Sequence, residues 1–193
     1  MSEHLKQRIL SIPDFPGPGI LFRDITPILQ DPMAFQEALD LLVEPFSRED
    51  VDLVVGVESR GFLFGAPLAL QKGWPLVLAR KAGKLPRETV RASYDLEYGS
   101  ATLEIHRDAI RPGQRVLVVD DLLATGGTAR AIAGMVESLG ASVAGLTFLI
   151  ELSDLNGRQN LDRWRVHAPL VYLPPMRRSR FAPFRTHVLC GVA

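Results

Sequence analysis

The sequence predicts a single α/β domain in which helices flank a parallel β-sheet. Two valine-rich runs, at residues 51–57 and 115–119, are almost continuously apolar, which is typical of parallel strands buried on both faces. Each run is followed by polar residues, a glycine and a helical pattern, at residues 61–72 and 128–139 respectively. Strand, helix and strand, found twice in this order, is the pattern of crossovers around a parallel sheet.

The first fifty residues predict an amphipathic start, a loop and one helix. Apolar residues recur within 5–10, and three prolines and two glycines follow within residues 12–19. That second segment predicts a loop, because proline lacks an N–H and glycine favours turns. Asp31 and Pro32 have the form of an N-cap followed by a first-turn proline, so a helix is predicted at residues 32–47.

Further strands, a hairpin and a basic tail complete the predicted order. Strands at residues 75–79 and 142–151 continue the alternation with the helices. Alternating residues predict an antiparallel hairpin that pairs residues 94–97 with 102–106. The last 20 residues, 174–193, hold four Arg and no Asp or Glu.

Length and composition limit the classes of function. A chain of 193 residues can bury about 70% of its unfolded surface in one domain. Its 22 Lys and Arg balance 22 Asp and Glu, so no global positive charge would attract nucleic acid or an anionic membrane. The single cysteine, Cys190, excludes an internal disulfide, and the sequence shows neither a signal-peptide core nor an 18-residue apolar run. We therefore expect a cytoplasmic protein without membrane contacts.

The strongest functional signal lies in residues 116–128. Asp120 and Asp121 stand at the predicted end of a strand, and a loop of Thr and Gly then leads directly into a helix. Glycine lets the backbone approach an anion, and a helix N-terminus presents free N–H groups to it. The carboxylates suit hydroxyl groups or water bound to Mg²⁺. This pattern predicts a ligand with a phosphate and a sugar. The phosphate would be held by five consecutive residues: Ala124, Thr125, Gly126, Gly127 and Thr128.

Five blocks of the sequence resemble the type I phosphoribosyltransferase family, and within it the adenine phosphoribosyltransferases. Residues 116–128 resemble the family's phosphoribosyl-diphosphate-binding motif, whereas the signatures of P-loop and dinucleotide-binding proteins are absent from the sequence. The likeness runs from about residue 12 to 152, and the segment 154–193 departs from it. The other four blocks lie at residues 12–27, 56–67, 80–86 and 94–99.

The resemblance implies a fold, a reaction and an assembly. The type I phosphoribosyltransferase fold would be one domain with a small N-terminal hood at residues 1–30 and a mobile lid and hairpin at residues 80–106. The reaction would form AMP and pyrophosphate from adenine and 5-phosphoribosyl 1-diphosphate. Mg²⁺ would be held mainly by the substrate, with Asp120 and Asp121 nearby. The resemblance also implies a homodimer.

The resemblance assigns residues of the hood and the hairpin to the binding of the purine. Phe22 would stack on the ring, while backbone groups of Leu21 and Arg23 read its hydrogen-bonding edge. Stacking tolerates any base, so selection would come from those hydrogen bonds. Glu97 would be catalytic and manage a proton of the imidazole ring. Asp120 and Asp121 would hold the ribose hydroxyls.

The pyrophosphate site is expected to be cationic. Between residues 80 and 92 there are five Lys or Arg and one Glu, so this segment could close over a leaving pyrophosphate and exclude water. In the family, the Ser59–Arg60 peptide is typically cis. The residues that the resemblance assigns to pyrophosphate are Ser59, Arg60, Lys81, Lys84 and His106.

Two alternative functions stay open, and the tail has no assigned role. A transferase for a 6-oxopurine would present a different hydrogen-bonding edge to its base, because a mismatched edge leaves buried groups unpaired. A regulator of the same fold that senses phosphoribosyl diphosphate and binds nucleic acid would carry an added winged-helix domain, and only about 50 residues precede the first strand of the predicted sheet. We expect the tail at residues 174–193 to pack on its own subunit or across a dimer.

Overall fold

The protein was analysed as a computed structural model, which describes residues 2–47, 50–95 and 100–173. Within these residues the helices are α1 (Ser2–Arg8), α2 (Thr26–Leu29), α3 (Pro32–Val43), α4 (Gly61–Lys72) and α5 (Gly127–Ser138). The strands are β1 (Leu10–Pro13), β2 (Leu21–Asp24), β3 (Leu53–Val57), β4 (Leu76–Lys81), β5 (Thr89–Asp95), β6 (Ser100–His106), β7 (Arg115–Leu123), β8 (Ser142–Leu152), β9 (Val166–His167) and β10 (Leu170–Tyr172). Two short 3-10 helices, Ser153–Leu155 and Gly157–Leu161, follow β8.

The main sheet has the predicted parallel centre. Its strand order is β10-β8-β7-β3-β4-β6-β5, with β9 also paired to β8. The pairs from β10 to β4 are parallel, whereas β6 runs antiparallel to β4 and to β5. The predicted α/β fold class is therefore confirmed.

Apolar side chains cover both faces of this sheet. One cluster packs α3 and α4 against it, with Phe64 and Leu68 fully buried. A second cluster packs α5 against the other face, with Ile132 and Val136 fully buried. Because both faces are covered, the central strands are apolar at nearly every position, which is why the valine-rich runs were visible in the sequence.

The N-terminal segment forms a small two-stranded sheet, which corrects the predicted loop. Residues 12 and 13 belong to β1, which pairs antiparallel with β2. A proline is tolerated there because an edge strand need not use the N–H that proline lacks. The rest of the predicted loop lies between the two strands, where the Phe15–Pro16 peptide is cis.

Helix α3 ends four residues before the predicted position. Its N-terminus is as expected, since the Asp31 side chain accepts hydrogen bonds from the N–H groups of Met33 and Ala34. At the other end, Pro45 has no N–H with which to continue the helix. Distant side chains satisfy the last carbonyls instead, with His167 Nε2 2.7 Å from Leu41 O and the Thr147 hydroxyl 2.7 Å from Leu42 O.

An antiparallel hairpin is present, but the predicted pairing is wrong, because residues 102–106 pair with 89–93 and not with 94–97. Strand β5 starts at Thr89 and pairs with β6, so part of the predicted lid is a strand. Residues 96–99, which complete one predicted arm, lie outside the described residues. So does the basic tail at residues 174–193. None of the helices in the described parts of the chain has the length and apolar character needed to span a bilayer.

Candidate active site

Two loops meet at the carboxyl end of the central strands. The Ser-Arg loop (residues 58–60) follows β3, and the Gly-Gly loop (residues 124–128) follows β7, which is the parallel neighbour of β3. The chain after β3 approaches β7 so closely that a Cβ atom added at Gly61 would lie 2.7 Å from the Val119 carbonyl oxygen. Only glycine fits at this contact.

Asp120 and Asp121 lie within β7 and not after it, because β7 continues to Leu123 beside β8. Both are almost completely buried, with 7% and 5% of their surface exposed. Arg60 of the Ser-Arg loop pairs with Asp121, with Nε 3.0 Å from Oδ2. The two predicted ribose residues and one predicted pyrophosphate residue are therefore neighbours.

Burial raises the pKa of both carboxyl groups, and their charged neighbours differ. Burial raises the pKa of Asp120 well above its usual value, and the adjacent Asp121 carboxylate raises this pKa further. The pKa of Asp121 is also raised by burial, but the nearby Arg60 charge opposes that rise. Of the two carboxyl groups, Asp121 is the one paired directly with a cation. A cation brought by a ligand would favour the ionised form of both.

The Gly-Gly loop presents backbone groups to the same edge. Gly126 has a φ of +81° and precedes α5, and it has no side chain with which to cap the helix. Gly126 therefore cannot cap the first N–H groups of α5, and these groups are available to an anion. Thr125 is exposed and Thr128 is partly buried, so both hydroxyls lie at or near the surface.

The cis peptide lies one residue before the expected position. It joins Glu58 and Ser59, whereas the family resemblance implied a cis peptide between Ser59 and Arg60. Strand β3 ends at Val57, so Glu58–Ser59 is the first peptide of the turn. The Ser59–Arg60 peptide is not cis.

Lys81 and Lys84 lie beside the Ser-Arg loop through contacts with Glu58 and Arg80. The Arg80 guanidinium donates to both Glu58 carboxylate oxygens, at 3.1 and 3.0 Å, and the Lys81 N–H donates to Glu58 at 2.9 Å. Arg80 also donates to the Lys84 carbonyl at 3.2 Å. Although burial opposes it, these hydrogen bonds hold the pKa of Glu58 below its usual value.

His106 is not brought to this loop. Lys81 pairs with Leu103, so His106 is three residues further along β6, about 10 Å from that edge. Its Nδ1 lies 3.2 Å from an Arg87 nitrogen, and its buried Nε2 has no hydrogen-bond partner among the described residues. The remaining predicted catalytic residue, Glu97, lies outside the described residues.

The three predicted purine residues face two sides of β2. The Arg60 guanidinium lies 5.2 Å from the centre of the Phe22 ring, so Phe22 faces the Ser-Arg loop. The side chain of Arg23 instead stacks over Tyr172 at 4.0 Å. Leu21 and Arg23 line a cavity of about 310 Å³ together with Tyr172 and Leu152.

Sequence reasoning missed two groups of residues around the site. Glu58 adjoins the predicted Ser59 and follows a strand, so its position was a usable signal, but its partner Arg80 is 22 residues away. The second group is the turn at residues 157–161, in which the Asn160 side chain donates to the Thr125 carbonyl at 2.8 Å. No local pattern marks a contact across 35 residues.

Comparison with known proteins agrees with this geometry. A family model of the phosphoribosyl transferase domain matches residues 26–167. An adenine phosphoribosyltransferase from Butyrivibrio fibrisolvens is 57% identical over 153 residues, which cover 79% of this chain and 85% of the relative. The chain belongs to the adenine phosphoribosyltransferase family. The family model continues to residue 167, so the likeness extends beyond the limit near residue 152 that the sequence blocks suggested.

Solved adenine phosphoribosyltransferases share the fold. The crystal structure of the enzyme from Rhodothermus marinus is 50% identical, with a TM-score of 0.85, and the match covers 89% of this chain and 98% of that one. The Saccharomyces cerevisiae enzyme is 44% identical, with a TM-score of 0.83 and coverage of 88% and 98%, and was crystallised with adenine and an imino-altritol bisphosphate. Phosphoribosyltransferases generally use Mg²⁺.

Proposed function

We propose that this chain salvages a free purine by forming AMP and pyrophosphate from adenine and 5-phosphoribosyl 1-diphosphate. One series of contacts carries the proposal, in which the Phe22 ring lies 5.2 Å from the Arg60 guanidinium and Arg60 pairs with Asp121 at 3.0 Å. A base against Phe22, a diphosphate at Arg60 and a ribose at Asp121 would be neighbours. These three groups meet at C1′ of the ribose during the reaction.

The Gly-Gly loop supplies the seat for the 5′-phosphate in this proposal. Residues Ala124 to Thr128 offer backbone N–H groups and two hydroxyls at the start of α5. The helix N-terminus adds about half a positive charge. A fixed phosphate would hold the ribose over Asp120 and Asp121, which accept hydrogen bonds from its hydroxyls. Positioning of this kind contributes several kcal/mol to a transfer reaction.

The transfer itself needs no covalent enzyme intermediate. The bond between C1′ and the diphosphate oxygen breaks, and its electron pair leaves with pyrophosphate. N9 of adenine bonds to C1′, and the imidazole ring loses a proton, which Glu97 accepts by resemblance to the family. Carboxylates near C1′ stabilise the positive charge that develops there.

Cations around the Ser-Arg loop would hold the leaving pyrophosphate. Ser59 and Arg60 lie in the loop, and Lys81 ends the neighbouring strand and is joined to Glu58 through its N–H. Lys84 follows within the same connection. His106 lies further along the sheet, opposite Thr89. It would contact pyrophosphate only if residues 82–88 moved and brought the pyrophosphate closer to His106.

Adenine would be read by backbone groups along one edge of β2. Pro13 lies opposite Leu21 in the antiparallel register. Because proline has no N–H, this pair cannot exchange two hydrogen bonds, and the alternation along the ladder assigns the bonded pair to Ile12 and Phe22. The N–H and C=O groups of Leu21 and Arg23 therefore point away from β1 and are free to bond with a 6-aminopurine. A 6-oxopurine would present a donor where adenine presents an acceptor.

The residues present fit a Mg²⁺ ion that is held mainly by the substrate. Asp120 and Asp121 are oxygen donors of the kind that Mg²⁺ prefers. Among the described residues, no group of three or more His, Cys, Asp or Glu side chains is placed to hold a metal. When bound, the ion would neutralise charge on the diphosphate as it leaves.

We extend the proposal to a homodimer in the cytoplasm. The outer face of α4 and the adjoining strand β4 expose four leucines, Leu63, Leu70, Leu76 and Leu78, and Leu70 is 85% exposed. An apolar surface of this kind marks a contact with another protein, and a second copy is the partner that the family resemblance implies. Sedimentation equilibrium would give twice the monomer mass. A lone cysteine is compatible with a reducing compartment.

Adenine-dependent release of pyrophosphate tests the proposed reaction. With 5-phosphoribosyl 1-diphosphate and Mg²⁺, adenine should give AMP, whereas hypoxanthine and guanine should react at least about 100-fold more slowly. Asp121→Ala should lower kcat/KM by about 100-fold or more, because it removes a group that acts on developing charge. A preference for a 6-oxopurine would contradict the adenine assignment. Nucleic-acid binding that phosphoribosyl diphosphate abolishes, without AMP formation, would indicate a regulator.

A further inference from the structure

The short 3-10 helix at residues 157–161, called the turn below, packs directly against the backbone of the Gly-Gly loop. A Cβ atom added at Gly157 would lie 2.2 Å from the Ala124 carbonyl oxygen, and one added at Gly126 would lie 2.7 Å from the Gly157 carbonyl oxygen. Both positions therefore require glycine for close approach. Gly126 and Gly157 are 31 positions apart in the sequence, but their segments pack directly against each other.

This turn is anchored to the sheet by an ion pair between a half-exposed arginine and a buried carboxylate, and by an apolar side chain. Arg158 Nε lies 2.9 and 2.8 Å from the two carboxylate oxygens of Glu151, which is 6% exposed, and Arg158 also donates to the Val166 carbonyl at 3.0 Å. Leu161 is fully buried and packs beside Gly126. The turn is thus a fixed support and not a free loop.

One side chain of the turn forms a hydrogen bond with a peptide group of the Gly-Gly loop. Asn160 Nδ2 donates to the Thr125 carbonyl at 2.8 Å. The peptide that joins Thr125 to Gly126 is trans, so its C=O and the N–H of Gly126 point in opposite directions. Holding the carbonyl toward Asn160 therefore directs the Gly126 N–H to the other side of the loop, and keeps a repulsive carbonyl away from an anion bound there.

We propose that Asn160 is a positioning residue for the 5′-phosphate, which acts by orienting the Thr125–Gly126 peptide. This inference rests on the proposed function of the Gly-Gly loop. It adds a residue outside the sequence motif. Asn160 acts on the ligand only through Thr125 and Gly126.

Steady-state kinetics of Asn160→Ala tests this role, with Gln159→Ala as the matched control. Gln159 is the exposed neighbour in the same turn, and its side chain forms no hydrogen bond within the described residues. Loss of one oriented hydrogen bond should raise KM for 5-phosphoribosyl 1-diphosphate by about five- to tenfold. In the reverse direction KM for AMP should rise equally, since AMP carries the same 5′-phosphate. KM for adenine and for pyrophosphate, and kcat, should stay within about twofold.

A second variant and a reference variant separate the possible failures. Asn160→Asp keeps the shape but loses the donor and adds a negative charge, so its KM for both 5′-phosphate ligands should exceed that of Asn160→Ala, and it replaces the latter if that protein does not fold. Equal rises in all four KM values, or values equal to those of Gln159→Ala, would overturn the inference. If the wild type forms AMP and Thr128→Ala weakens binding of 5-phosphoribosyl 1-diphosphate, such a result removes the Asn160 role alone. No AMP from the wild type would remove the proposed function.

Discussion

The Ser-Arg and Gly-Gly loops occupy equivalent positions in the fold but differ in the groups that make their contacts. Each follows a buried parallel strand and leads into a helix of 12 residues. In the Ser-Arg loop, charged side chains carry the contacts, since Glu58 binds Arg80 and Arg60 binds Asp121. In the Gly-Gly loop, backbone groups carry them, and the turn at residues 157–161 packs directly against the chain.

This difference separates an adjustable site from a fixed one. A guanidinium paired with a carboxylate can exchange that partner for a bound anion by rotating a side chain. A backbone loop enclosed by other backbone cannot move without a shift of both segments. We therefore expect the Ser-Arg loop to respond to the ligand during the reaction, whereas the Gly-Gly loop holds one end of the substrate still throughout.

Replacing the adjustable arginine should give the largest effect. Arg60→Ala removes the partner of Asp121 and the contact with Phe22, and leaves a buried carboxylate without its cation. We expect kcat/KM to fall by about 100-fold or more, because the lost charge acts where pyrophosphate departs. Steady-state assays in both directions measure this loss.

Arg163→Ala is the matched control for Arg60. Arg163 also pairs with a carboxylate, Glu137 at 3.6 Å, and lies 5.1 Å from the Trp164 ring, but its side chain is 69% exposed. Its removal should leave kcat/KM unchanged and alter the free energy of unfolding by less than about 0.5 kcal/mol. Equal losses in the two variants would mean that Arg60 has no special place in the reaction.

A pair of glycines tests the fixed loop. Gly126→Ala forces a Cβ into the Gly157 carbonyl, at a φ of +81° that costs an L-residue about 1–2 kcal/mol. It should raise KM for 5-phosphoribosyl 1-diphosphate by at least about tenfold and lower the free energy of unfolding by about 2 kcal/mol. Gly134→Ala, within α5 and with open space around it, should instead stabilise by about 0.5–1 kcal/mol. Urea unfolding and substrate titration of both variants provide the comparison, and similar behaviour would contradict a rigid loop.

Much of the fold was readable from local patterns in the sequence. Helix α4 spans the predicted residues 61–72, because its apolar residues and the glycine after Lys72 are local signals. Strand β7 was predicted too short, since the consecutive carboxylates Asp120 and Asp121 resemble a strand end. Only the pairing with β8 reveals that the strand continues. The early end of α3 is likewise partly set by His167 and Thr147, which are distant in sequence.

The candidate site was likewise predicted only where its residues belong to contiguous motifs. Contiguous motifs predicted the Gly-Gly loop and the acidic pair, and the structure brings Arg60 and Phe22 to them. The residues that fix those motifs were not predicted, because Arg80 and Asn160 reach their partners through tertiary contacts. Local sequence therefore indicated which groups meet the ligand, whereas the folded chain was needed to show what holds them.

The smallest expected effect comes from an ion pair that joins the same two strands at their other end. Asp52 precedes β3 and Arg115 begins β7, and the Asp52 carboxylate accepts hydrogen bonds from the Arg115 N–H and guanidinium at 2.7 to 3.0 Å. Those bonds lower the pKa of Asp52 to about 2. Unlike Arg60 and Asp121, this pair lies far from the loops, so it should contribute to stability and not to activity.

Acid titration of stability distinguishes the two ends of the sheet. The unfolded chain binds a proton at Asp52 more tightly than the folded chain does, so its contribution is complete above the ordinary pKa of 3.8 and is lost as the pH falls toward 2. Urea midpoints measured at intervals from pH 5 to pH 2.5 should therefore fall less steeply for Asp52→Asn than for the wild type. At pH 7, kcat/KM of this variant should equal that of the wild type. A parallel pH dependence, or a loss of activity as large as that of Arg60→Ala, would show that the two ends of β3 and β7 do not have separate roles.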